Sequence, residues 1–183
     1  MRKVAFGLFL MLNFLSSAQE LKDCGIVFFE SKSILSKAPE GWVLDCEAGL
    51  PSHIPIVFYE KGTTYLDAET VMYINYESLG EVDQENLEDL ISYDEEQFKK
   101  NYEGIEVKTI DDFKLEKYNG VVRYFGKGDY QSHEYIAYLD LKKFALLVVI
   151  SSRSENALKE NSNAFLELLH SIRVLKVKTA DNK

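Results

Sequence analysis

Phe144-Ala-Leu-Leu-Val-Val-Ile150 is apolar at every position. Successive residues of a strand point to opposite faces, so such a run needs cover on both sides of its sheet. It is strand-sized, well short of the roughly 20 apolar residues that a membrane-spanning helix requires. The rest of the chain must therefore supply neighbouring strands and a layer on each face.

The surrounding sequence offers both. Residues 26–30 have strand character, and Ala38-Pro39-Glu40-Gly41 turns the chain into Trp42-Val43-Leu44-Asp45. Residues 54–60 alternate, with Ile54, Ile56 and Phe58 on one face and Pro55, Val57 and Tyr59 on the other. Lys61-Gly62 turns, and residues 71–76 return as a strand. Asp83 reads as the N-cap of a helix running to about Asn101, with Leu87, Leu90, Ile91 and Phe98 on its buried stripe. Glu85, Glu88, Ser92, Glu95 and Lys99 form the opposite, solvated face. Strands are predicted over 105–110, 113–118, 121–125 and 130–139, with Asn119-Gly120 and Gly126-Lys127-Gly128-Asp129 as turns. Ser154 caps a last helix whose stripe is Leu158, Phe165, Leu168, Leu169 and Ile172, and a charged tail begins at about Lys176. The expected class is α+β: a largely antiparallel sheet flanked by helices, an α/β/α sandwich in one domain over 19–183.

The first eighteen residues read as an address. Met1-Arg2-Lys3 is basic, residues 4–15 are almost wholly apolar, and Ser16-Ser17-Ala18 sets small residues before a cut at Gln19. As a membrane anchor, twelve helical residues would span about 18 Å, against the ~30 Å of a bilayer core. Leu21-Lys22-Asp23 before Cys24 is not a lipobox. The expectation is a signal peptide over 1–18 and a secreted or periplasmic mature chain. Its 30 acids would face 19 bases, once Arg2 and Lys3 are lost, giving a charge of -11. That balance argues against gripping phosphate backbones, so no nucleic-acid partner is expected. In an oxidising compartment Cys24 and Cys46 read most simply as a disulfide, worth ~3 kcal/mol in the chain-entropy model. A redox or metal pair and two free core thiols are the other readings.

Two stretches carry a resemblance. Gly41-Trp42-Val43-Leu44-Asp45 with Gly49, and Val57-Phe58-Tyr59-Glu60-Lys61-Gly62 followed by Val71-Met72-Tyr73-Ile74-Asn75, are similar to paired segments in a family of secreted bacterial proteins. The strand order, the mid-chain acidic helix and the closing segment from Phe165 to Ser171-Ile172-Arg173 resemble the wider PsbP/Mog1/DcrB-like α/β sandwich. The resemblance implies a fold used mainly for binding and assembly, with no catalytic residues to carry over.

Ser132-His133-Glu134 holds the residue types of a hydrolase triad, but on a strand His133 points away from both neighbours. His53 falls in a loop and His170 near a helix end. No spacing suits a metal, the acids from Glu81 to Glu96 lack a calcium loop, and Gly126-Lys127-Gly128 is too short for a dinucleotide site. The suggestive surplus is tyrosine. Tyr73 and Asn75 share one face, as do Tyr130, Glu134 and Tyr138, so a binding patch is expected there. The reading is an exported, non-catalytic binding or accessory protein for an unidentified protein or small-molecule ligand. It needs no cofactor and no metal, and its mature chain has no membrane span. The alternatives are a small hydrolase using His133 or His53, and an effector or immunity protein with a cognate partner.

Overall fold

The computed structural model describes residues 26–29, 32–80, 85–113, 115 and 117–176. Residues 1–18, Cys24 and the end of the tail lie outside them. Strand β9 (Phe144–Ser152) is the apolar run, and it sits in the middle of a seven-stranded antiparallel sheet. The other members are β3 (Trp42–Asp45), β4 (Ile56–Glu60), β5 (Thr70–Ser78), β6 (Glu106–Thr109), β7 (Gly120–Gly126) and β8 (His133–Asp140). The order is β3-β4-β5-β9-β8-β7-β6. Helix α1 (Leu87–Asn101) covers one face of this sheet. On the other lie α2 (Glu155–Glu160) and α3 (Ser162–Ser171). A three-stranded sheet of β1 (Ile26–Phe29), β2 (Lys32–Leu35) and β10 (Arg173–Lys176) joins them.

The alternation in the sequence becomes two cores. Ile56, Phe58, Met72, Ile74, Leu146, Val148 and Ile150 face α2 and α3, where Leu158, Phe165 and Leu168 meet them. Ala145, Val149, Ile136 and Phe125 face α1, where Leu87, Leu90 and Ile91 meet them. Most of these side chains are fully buried, each worth roughly 1.5–3 kcal/mol of transfer free energy.

The structure departs from the sequence expectations in four places. The helix before residue 101 is capped by Asn86, whose side chain accepts from the Asp89 N–H at 3.0 Å; Asp83 lies outside the described residues. The last helix is two, broken at Asn161, whose amide donates to the Ala157 carbonyl and to Thr70. Residues 113–118 form no strand among the described positions, because Phe113 turns inward onto Tyr135 and Phe165. Strands β2 and β10, neither of them expected from the sequence, pair with each other from opposite ends of the described chain.

Candidate functional site beneath helix α1

Strand parity puts Glu134, Ile136 and Tyr138 of β8 on the α1 side. The ladder Tyr73↔Val149↔Ile136 puts Tyr73 of β5 on the same side, and Asn75↔Leu147↔Tyr138 does so for Asn75. The hydroxyls of Tyr130, in the turn before β8, and of Ser151, on β9, lie beside the Glu134 carboxyl and favour its ionised form. The five residues singled out in the sequence thus share one face.

They are not equally accessible. Tyr138 has no exposed surface and Glu134 keeps 6% of its own, whereas Tyr73, Asn75 and Tyr130 are half-buried. A partner arriving from solvent would meet the last three, with Glu134 beside Tyr73 and Tyr130 and with Asn75 farther along β5 in the row of Tyr138. Tyr138 serves instead to hold α1, donating its hydroxyl to Asp94 Oδ2 at 2.9 Å. Beside it Arg123 Nε of β7 lies 3.0 Å from Glu95 Oε1, and the Arg123 guanidinium also bonds the Thr109 hydroxyl. Toward the C-terminal end of α1, Phe98 stacks at 4.4 Å on Phe125 and meets Tyr130 edge-on at 5.4 Å. Tyr102 closes over Tyr130 at 4.6 Å between ring centres.

Burial sets the electrostatics. It raises the Glu134 carboxyl above the usual carboxylate range, partly offset by the Ser151 and Tyr130 hydrogen bonds. Burial also raises Asp94; the Tyr138 hydroxyl offsets this and the charge of Glu77 adds to it. Tyr73, Tyr130 and Tyr138 are pushed up by burial first and then by Glu134 or Asp94. Among the described residues no lysine or arginine forms an ion pair with Glu134 or Asp94.

Asp94 is the member of the cluster that the sequence reading missed. With Leu87, Ile91 and Phe98 it falls on the 4-3-4 spacing of the buried stripe. A carboxylate on an apolar stripe was the available signal.

His133 lies on the opposite face of the sheet from Glu134. Its Nδ1 is 2.9 Å from the Tyr124 hydroxyl, whose pKa burial pushes up to about 12. Its ladder partner Ser152 shares its hydroxyl with Thr70 at 2.8 Å. His53 is exposed in a left-handed turn after a short 3-10 helix. His170 is exposed in the last turn of α3, where its carbonyl accepts from Lys117 and Arg173. The described residues hold no group of three His, Cys, Asp or Glu placed to ligate a metal, and no helix long and apolar enough to cross a membrane. Cys46 is not a free thiol.

No protein-family model and no curated protein matches this chain. Among solved structures it is similar to cyanobacterial PsbP (CyanoP) from Synechocystis sp. PCC 6803, determined in solution. The match has a TM-score of 0.50 and 15% identity, over 88% of this chain and 99% of that one. The fold is PsbP-like. At this identity the likeness extends to architecture: a PsbP-like antiparallel sheet with helices on it, and here the tyrosine–carboxyl cluster lies between that sheet and α1.

Proposed function

We propose that this PsbP-like chain is an exported, non-catalytic accessory protein that binds a partner along the strip of β5 beside α1. The observation that carries the reading is the placing of half-buried Tyr73 and Tyr130 beside the buried Glu134, with half-buried Asn75 farther along the same face of β5. Rings with polar tips over a hydrogen-bonded carboxyl supply apolar contact area and orientation together, the pairing that binding surfaces use. The engagement of His133 with Tyr124, on the far side of the sheet from Glu134, supports a binding role over a hydrolytic one. Export rests on the signal-like residues 1–18, and the Cys24–Cys46 bridge on the oxidising compartment that export implies.

The test is recovery of partners from the native envelope fraction by the processed protein. A Tyr73→Ala/Asn75→Ala double variant, confirmed as folded by its thermal transition, serves as comparison. A partner held by wild type and lost by the variant is the expected result. Identical recovery by both would remove the strip from the account.

A further inference from the structure

Glu134 is a buried carboxyl whose described partners are two hydroxyls, with no cation paired to it. Helix α1 brings a second partly buried carboxyl, Asp94, to the same interface. The groups around them are named readily. From β5 come Tyr73 and Glu77, from the turn before β8 Tyr130, from β8 Tyr138, and from α1 Glu95. Tyr65 and Tyr102 stand behind Tyr73 and Tyr130. Two described cations lie close by: Arg123, held by Glu95 and Thr109, and Lys99 of α1, paired with the same Glu95. An ionised carboxylate taken from water without a cation costs several kcal/mol, which hydroxyl donors offset only in part. That cost vanishes if the carboxyl is protonated, or if α1 lifts and water enters.

We propose that α1 is a proton-gated cover, closed over the Tyr73–Tyr130–Glu134 patch while Glu134 and Asp94 are protonated and loosened as they ionise. The hinge of the device is local. The helix is held to the sheet by the buried Leu87, Leu90 and Ile91 toward its N-terminal half. Asp94–Tyr138, Glu95–Arg123 and the Phe98 ring cluster hold it toward its C-terminal half, so it is the C-terminal half that loosens while β8 and β9 stay paired. Opening would free the part of Tyr130 that Phe98 and Tyr102 cover, and with it the way to Glu134, whose ladder partner Phe125 lies under Phe98. The gate requires nothing of the partner's identity.

Hydrogen exchange on the processed chain reads it directly. Protection of the α1 amides (Leu87–Asn101) is compared with that of β9, after correction for intrinsic exchange. Between about pH 5 and about pH 8 the opening constant of α1 should rise, by a factor of about ten for each unit by which a closed-state carboxyl pKa lies above its open-state value. β9 should change far less. Glu134→Gln should keep α1 closed at the higher pH. Tyr130→Phe, which removes a donor to the carboxylate, should open α1 further than wild type at the higher pH and still fold. Unchanged α1 protection across that range would overturn the gate. So would a loss shared equally by β9, or a Glu134→Gln protein that opens like wild type.

Discussion

The Tyr138 hydroxyl donates to Asp94 Oδ2 at 2.9 Å, tying the centre of the sheet to the centre of α1. Tyr138 is fully buried, so this bond is shielded from water on the sheet side. Tyr138→Phe keeps the ring and deletes the bond, leaving the partly buried Asp94 short of a donor. The expected loss is about 1–3 kcal/mol in urea unfolding at neutral pH, because bonds to charged acceptors are worth more than neutral ones. A smaller loss in acid, where Asp94 is neutral, would identify the charge as the source.

The acids under α1 also set a pH dependence whose sign is opposite to the usual one. Glu134, Asp94 and Glu77 all have folded-state pKa values raised by burial. A carboxyl raised in the folded state costs nothing below its unfolded value. It destabilises progressively as pH climbs from there through the folded value, and the penalty is constant above. Stability should therefore fall as pH rises out of the ordinary carboxylate range. Glu106 and Glu155 are lowered by surface lysines and pull the other way, but only on approach to strong acid. Glu134→Gln should raise stability at neutral pH and flatten the curve; thermal melts across pH check both.

Gly126 is where the backbone of β7 passes closest to the Tyr124–His133 pair. A Cβ there would run into the Tyr124 hydroxyl and fall 2.8 Å from His133 Nδ1. Gly126→Ala should therefore cost about 1–3 kcal/mol, as overpacking in a tight site does. If its melting temperature equals that of wild type, the pair is looser than described.

Processing and the bridge can be read together by mass. The exported chain should begin at Gln19 and contain no titratable thiol until it is reduced. Cys24→Ser should then lower stability by about 3 kcal/mol, the chain-entropy value for a loop of this size. A mature protein with two free thiols would refute the bridge.

Much of the architecture was legible because strand parity is a hard constraint. Once β8 is a strand, Glu134 and Tyr138 must share a face and His133 must leave it. The apolar run of β9 announced the cover on both faces that α1 and the α2–α3 layer provide. What escaped was set by distant contacts. Strand β2 has a buried serine, Ser33, where an apolar residue would have marked it, and it is completed by β10 at the other end of the chain. Phe113 alternates like a strand residue, yet it spends its ring on Tyr135 and Phe165. In the candidate site, the tyrosines could be grouped by parity along single strands. Their burial could not, because it depends on where α1 lies, and so Tyr138 emerges as an anchor and Asp94 as its acceptor.

The central claim is that partners meet the strip of β5 beside α1. It is tested most directly by site-specific photo-cross-linking in the native cell envelope. A cross-linking residue in place of half-buried Asn75 is compared with one in place of Tyr93, exposed on α1 at 44%. The account predicts a discrete adduct from position 75 that is absent from position 93 and is lost when Tyr73→Ala is added. Adducts from position 93 alone, or from position 75 regardless of Tyr73, would contradict it.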